Sequence, residues 1–306
     1  MEKTKINLAS NGIFPIVVTV KDGTTSPITE LPDTGYSVPG TVQGEGKMLG
    51  MPCLFVRTSS CNLRCAWIGA NGIGSLCDTP YTSHNPQKNH TEIQDIVDTV
   101  KANAKISNIS HVIVSGGEPT MQDEVLAELL KSLNNAGFHT TIETKGTIYT
   151  RDISTWTNLV SMSPKLSSST PWQANVKGTD VEFNQKWAER HERDRKNINA
   201  IQSYIDDCYE INVLNIEGDK YATRKAHKDF QLKFVITDLA DIEEIEEDFL
   251  AFLKGVRPTD VCLMPEGVTT EDLMAKSTWV VKEAIARGWR FTPRLHALLW
   301  GVKVGV

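Results

Sequence analysis

The chain has 306 residues, 40% of them hydrophobic and 23% charged, enough for one sizeable domain with a full core. A net charge of −6, with no Lys/Arg blocks interleaved with aromatics, argues against direct nucleic-acid binding and points to a small substrate. There is no run of about 18 or more apolar residues and no basic-then-apolar segment, so neither a membrane span nor secretion is expected, and the expected location is the cytoplasm.

Residues 1–36 include a Thr/Pro/Gly-rich stretch and read as an N-terminal extension, ordered where a strand such as 14–20 pairs with a sheet edge. Residues 37–306 read as one core domain. Within it, strand patterns fall at 54–57, 111–115, 140–144, 159–163, 232–236 and 261–264. Amphipathic helix patterns lie between them at about 92–104, 122–135, 241–254 and 271–287. Alternation of this kind predicts an α/β domain built on a parallel sheet. The span 167–229 is polar and charged, carries Trp172, Trp187 and a helix-like stretch at 184–204, and is expected as an insertion within that domain. Parallel sheets bind ligands at the carboxyl ends of their strands, and Cys61, Gly116, Glu143, Ser163 and Met264 each fall at or just after such an end.

Three cysteines are grouped: three residues separate Cys61 from Cys65, and eleven separate Cys65 from Cys77. Four thiolates close a metal site, whereas three can leave one metal position free for a substrate or cofactor. The same grouping suits a zinc knuckle completed by His84 or His90. Cys53, Cys208 and Cys262 read as ordinary buried thiols, and six cysteines used this way fit a reducing compartment better than a disulfide framework. Downstream, the apolar strand at 111–115 stops at Gly116-Gly117-Glu118-Pro119. Glycines at a strand end let backbone approach a ligand closely, although an ordinary strand-to-helix turn uses Gly and Pro as well.

Together, Cys61-Asn62-Leu63-Arg64-Cys65, Cys77 and Gly116-Gly117-Glu118 resemble the radical S-adenosylmethionine (SAM) superfamily, in which three cysteines hold a [4Fe–4S] cluster and a Gly-Gly-Glu strand end binds the methionine amino group. Four further segments narrow the resemblance to the 7-carboxy-7-deazaguanine synthase family. The first is Thr41-Val42-Gln43-Gly44-Glu45-Gly46, with Arg57 four residues before the first cysteine. The second is Cys77-Asp78-Thr79. The third is Ser161-Met162-Ser163-Pro164-Lys165 with Gln231-Leu232-Lys233-Phe234-Val235-Ile236. The fourth is the ending from Thr292-Pro293-Arg294-Leu295-His296 to Val306.

This resemblance implies a partial (β/α)6-type TIM barrel of the radical SAM type, with insertions. It implies that Cys61, Cys65 and Cys77 hold the [4Fe–4S] cluster, and that Thr79 offers its hydroxyl to a Mg²⁺ ion, a hard cation that takes oxygen ligands. SAM contacts are implied for Leu76, Asp78, Gly116, Gly117 and Glu118, for Glu143 and Lys145, for Ser163, Pro164 and Lys165, and for Lys233, Phe234, Val235 and Ile236. Substrate contacts are implied for Val42, Gln43, Gly44, Glu45, Arg57, Ser115, His296 and Val306 with its terminal carboxylate. The implied activity is a carbon–nitrogen lyase reaction: 6-carboxy-5,6,7,8-tetrahydropterin contracts to 7-carboxy-7-deazaguanine with loss of ammonia, in queuosine and 7-deazapurine biosynthesis. In the family an electron from flavodoxin or ferredoxin cleaves SAM to a 5′-deoxyadenosyl radical, SAM is regenerated, and the enzyme is a homodimer.

The chain departs from the family pattern in four places. Nine residues, 68–76, separate Trp67 from Cys77 where the usual spacing leaves two between the cysteines. Gly69, Gly72, Gly74 and Asn71 can close this stretch compactly, and loop-closure entropy grows slowly with length, so metal binding is expected to survive. Leu76 stands where an aromatic residue is usual, Ser115 where threonine is frequent, and Lys145 where a small or amide side chain is usual. Two rivals remain at this stage: another radical SAM enzyme such as a glycyl-radical activase, which need not carry Gln43-Gly44-Glu45 or the His296-to-Val306 ending, and a zinc-binding interaction module without catalysis.

Overall fold

The computed structural model describes residues 4–30, 32–69, 72–213, 220–301, 303 and 305. Its main sheet contains strands β1 (Lys5–Phe14), β2 (Pro52–Thr58), β3 (Asn89–Glu92), β4 (His111–Gly116), β5 (His139–Thr144), β6 (Leu159–Met162), β7 (Asp229–Ile236), β8 (Val261–Pro265) and β9 (Arg290–Phe291). Their spatial order is β9-β8-β7-β6-β5-β4-β2-β1-β3. From β2 through β9 each strand pairs in parallel with its neighbour, and β1 joins antiparallel to both β2 and β3. The sheet therefore winds in one direction and, among the described residues, does not close on itself, which is the partial β/α barrel expected from the sequence.

The parallel strands form because their residues are apolar on the helix-covered face, and in β4 on both faces. Val112, Ile113 and Val114 of β4, and Leu232, Phe234 and Ile236 of β7, are fully buried. Such strands must be covered by helices on one side and by barrel filling on the other. The covering helices include α1 (Ile93–Ser107) and α2 (Asp123–Asn135), whose buried Ile96, Val97 and Val100, and Leu126, Leu129, Leu130 and Leu133, recur at helical spacing. Each fully buried Leu contributes about 1.5–3 kcal/mol, so the α2 stripe holds this helix on the sheet, against β5 in particular. α1 stops at Asn108, a left-handed residue whose N–H returns to the Ala104 carbonyl.

Three assignments differ from the sequence reading. The N-terminal strand lies at Lys5–Phe14 and is paired on both sides, with β3 at the edge beyond it, whereas Val18–Lys21 folds back on Thr24–Pro27 across the left-handed pair Asp22 and Gly23, a turn that splits off a separate hairpin. The helix expected at 184–204 is two helices, α3 (Gln185–Asp194) and α4 (Ile198–Asp206), because Asn197 caps the second by accepting the Ala200 N–H at 3.1 Å. The helix expected at 241–254 begins earlier as α5 (Leu239–Glu244), capped by Asp238, and then widens into π-type turns over Ile245–Leu250. The sequence reading also missed β9.

The polar span 167–229 is fastened to the domain through α4, whose Ile201, Tyr204 and Ile205 enter the same apolar core as the strands. Among the described residues no helix is long and apolar enough to cross a membrane.

His111 and His139 begin adjacent strands with ring centroids 4.3 Å apart, and His111 Nε2 meets Thr141 Oγ1 at 2.8 Å. Burial, with His139 beside it, pushes His111 from 6.5 down to about 4. The folded state thus binds fewer protons than the unfolded one, so this stabilisation is complete above pH 6.5 and is lost as the pH falls toward 4. Urea unfolding at pH 7 and pH 5 should show His111→Asn losing roughly 2 kcal/mol less stability on acidification than the parent; equal losses would contradict this.

Candidate active site

The carboxyl ends of the parallel strands surround a cavity of about 320 Å³. Alternation along the strands selects which side chains reach it. On β7, Lys233 and Val235 face the cavity, whereas Phe234 packs edge-on against Phe249 at 5.5 Å and Ile236 joins the apolar core. Phe234 and Ile236 can therefore offer a ligand only their backbone.

At one end of the cavity Cys61 and Cys65 pack in a small cluster with Leu63 and Trp67, and Cys77 and Val235 close it. On either side of the insertion Ala66–Ile68 pairs antiparallel with Gly74–Leu76, and the second strand brings the Cys77 N–H to the Cys65 carbonyl at 3.1 Å. Eleven intervening residues thus cost little separation between the thiols. Arg64 braces the loop by donating to the carbonyls of Cys61 at 2.9 Å and Leu63 at 3.0 Å. His84 lies 3.1 Å from the Cys65 carbonyl, and His90 is exposed on β3. Among the described residues no three of His, Cys, Asp and Glu converge as they would around a single metal ion. Burial pushes the Cys65 thiol up to about 12 and raises Cys77 as well, so both are protonated thiols until a metal takes the proton's place.

The Gly116-Gly117-Glu118 turn is stitched to this loop. Gly116 has φ +124°, and a Cβ there would lie 2.0 Å from the Thr58 carbonyl oxygen; a Cβ on Gly117 would lie 2.0 Å from that of Ser60. The Glu118 N–H donates to the same Ser60 carbonyl at 2.8 Å, so the turn sits directly against the residue before Cys61. Glu118 itself is fully buried and accepts from Thr120 Oγ1 at 2.8 Å, Thr144 Oγ1 at 2.7 Å and the Lys145 N–H at 2.7 Å. Its carboxylate is occupied by the scaffold, where it ties the end of β4 to the end of β5. Lys145 Nζ donates to the Gly117 carbonyl, and Lys165 Nζ to Ser163 Oγ at 2.9 Å. Pro164 lies between the two cavity-lining residues Ser163 and Lys165.

The other end of the cavity is a set of interlocked charges. Lys233 Nζ pairs with Glu45 and lies 3.9 Å from Glu143. Glu143 accepts from Ser115 Oγ at 2.6 Å and from Gln43 Nε2 at 3.2 Å. Arg294 spans the pocket from the C-terminal side, bonding Glu45 Oε1 at 3.4 Å, the Gly267 carbonyl at 2.9 Å and the Asp78 carboxylate. Burial alone would raise the Glu45 carboxyl, but the Lys233 ammonium and the Arg294 guanidinium outweigh it and hold the group well below the ordinary carboxylate range. Burial likewise lowers His296, leaving it neutral at pH 7 despite the pull of Glu45. Gly44 is required beneath it, since a Cβ there would lie 2.3 Å from His296 Nδ1, and the Leu295 N–H bonds the Gly44 carbonyl at 2.9 Å. Arg57 lies over the Phe14 ring at 4.3 Å and donates to the Tyr81 hydroxyl, while its buried Nε finds no partner among the described residues. Thr79 Oγ1 lies 3.4 Å from Cys77 Sγ, and Leu76 and Asp78 line the same wall.

The fold thus gathers most of the candidates read from the sequence along one cavity, while Cys61, Gly44, Glu118 and Pro164 adjoin lining residues without lining it and Phe234 and Ile236 point into the core. Val42 sits outside it in a two-residue strand against the start of β2, and Val306 lies outside the described residues. Three contributors were missed. Arg294 and Tyr81 carry no local signal of their partners. Lys47 anchors the Gln43–Glu45 turn by sinking between Asp260 at 2.7 Å, Asp229 at 2.8 Å and the Phe230 carbonyl at 2.6 Å.

The donor set fits a [4Fe–4S] cluster: Cys65 and Cys77 on the cavity wall with Cys61 packed against Cys65, no disulfide among the described residues, and glycine backbone with a lysine lining the same cavity. Known proteins agree. Residues 55–162 match the Radical SAM superfamily. The 7-carboxy-7-deazaguanine synthase of Halobacterium salinarum is 39% identical over 284 residues, covering 91% of this chain and 92% of that protein. That of Rhodopirellula baltica is 32% identical over 263 residues, covering 86% and 84%. The crystal structure of QueE from Escherichia coli superposes with a TM-score of 0.50 at 23% identity, over 84% of this chain and 91% of that one, a likeness of fold.

Gly116→Ala should lower unfolding stability by about 2 kcal/mol or more, since it adds both a left-handed strain and a clash with rigid backbone. Thermal unfolding of the metal-free protein checks this, and an unchanged midpoint would contradict the close approach of β2 and β4.

Proposed function

The chain belongs to the 7-carboxy-7-deazaguanine synthase family of radical SAM enzymes, which act in 7-deazapurine biosynthesis, and we propose that it converts 6-carboxy-5,6,7,8-tetrahydropterin to 7-carboxy-7-deazaguanine with loss of ammonia. The observation that carries this reading is the division of one cavity into a thiol end and a charge-balanced polar end. Cys61, Cys65 and Cys77 would hold the cluster, and the Gly116-Gly117 backbone, Glu143, Ser163 and Lys165 would hold SAM beside it. When bound, these two groups supply the 5′-deoxyadenosyl radical that removes a substrate hydrogen.

The chain's own residues position and shield the reactants. A pterin presents its 2-amino group and N3–H as adjacent donors, a pattern that suits a carboxylate kept ionised, and Glu45 is so kept. Arg57, which lines the cavity, would receive the substrate carboxylate through its guanidinium. Gln43, Ser115 and neutral His296 complete the polar wall. Thr79 would give a Mg²⁺ ion one hydroxyl oxygen, with substrate and water supplying the others, in keeping with how Mg²⁺ retains water. Glu118 acts through Thr144 and Lys145, as a positioning residue. A flavodoxin or ferredoxin as electron donor, a homodimeric state and a cytoplasmic location belong to the same proposal.

Anaerobic reconstitution with iron and sulfide, followed by SAM, a one-electron reductant, Mg²⁺ and the pterin, should yield 7-carboxy-7-deazaguanine by mass spectrometry without stoichiometric loss of SAM. A sound cluster giving only 5′-deoxyadenosine would discard this substrate. Cys77→Ala should lose the cluster's visible absorbance. Thr79→Ala should weaken the Mg²⁺ dependence of the rate, and an unchanged metal response would remove Thr79 from the site.

A further inference from the structure

Lys145 follows the last residue of β5, and its backbone N–H is fixed by buried Glu118 at 2.7 Å. From there its side chain reaches the Gly117 carbonyl, beside the turn that packs on Ser60 just before Cys61, and it lines the cavity with Cys65 and Cys77. Among the described residues Lys145 forms no ion pair, unlike Lys233 with its two carboxylates. Cys65 and Cys77 on the same cavity wall, with Cys61 packed against Cys65, become anions when a metal displaces their protons.

Lys165 lines the same cavity and Arg64 braces the cysteine loop, so the site holds more than one cation. We propose that the Lys145 ammonium is a counter-charge of the cluster site and raises the reduction potential of the cluster held by Cys61, Cys65 and Cys77. Net charge and surroundings set such potentials, and one-electron reduction adds a negative charge that a fixed, enclosed cation stabilises. The electron comes from an external one-electron donor. This inference rests on the cluster reading above and assigns Lys145 an electrostatic role separate from any contact it makes with SAM.

The test is an anaerobic redox titration of the reconstituted protein without SAM or substrate, with the reduced cluster read by electron paramagnetic resonance. Lys145→Gln should lower the midpoint potential so that the reduced-to-oxidised ratio at a given ambient potential drops about tenfold, roughly 59 mV for one electron. Lys145→Arg, which keeps the charge, should stay near the parent. Equal potentials in all three proteins would overturn the proposal. If neither Lys145→Gln nor Lys145→Met assembles a cluster while Lys145→Arg does, the requirement for the charge is supported by assembly instead. Failure of the parent itself to assemble a cluster would overturn the reading beneath, and this inference with it.

Discussion

The Lys233 ammonium, nearly enclosed between Glu45 and Glu143, is the contact on which the rest of the site depends. Removing one partner from a buried ion pair leaves an uncompensated charge and costs about 3–5 kcal/mol, so the three elements carrying these groups are held in one arrangement. Glu45 comes from the turn before β2, Glu143 from β5 and Lys233 from β7. Arg294 adds the C-terminal side through the opposite face of Glu45. A barrel that does not close on itself is thereby bridged at its mouth by charge instead of by strand pairing.

The thiol end obeys a different constraint, the approach of bare backbone. Gly116 and Gly117 allow β4 to end against the carbonyls of Thr58 and Ser60, and the cysteine loop starts from that same backbone. The hairpin over 66–76 then restores the third thiol to its neighbours, which explains how a long insertion between Cys65 and Cys77 is compatible with one metal site. The two ends meet at Glu143 and Lys145, two residues apart on the end of β5.

Much of the fold was legible because buried strands read as short, largely apolar runs, as 112–114 and, around Lys233, 232–236 do. The antiparallel edge was not: β1 is a polar-rich strand whose partners lie in β2 and β3, and nothing local distinguishes it from the hairpin that follows. The candidate site was legible as a set of motifs, and period-two alternation could have told Lys233 and Val235 from Phe234 and Ile236. Lys47 could not be read at all, because its partners Asp229 and Asp260 stand 182 and 213 positions away. The same holds for Arg294, whose partner Glu45 lies 249 positions upstream. Long-range ion pairs leave no pattern in a single sequence.

The charge balance at the polar end is most directly tested by the affinity of the reconstituted, SAM-loaded protein for 6-carboxy-5,6,7,8-tetrahydropterin, measured by anaerobic calorimetry before and after Glu45→Gln. Loss of the ionised acceptor, with the fold intact, should weaken binding about tenfold or more, about 1.4 kcal/mol. An unchanged affinity would contradict the assignment of this end of the cavity to the pterin.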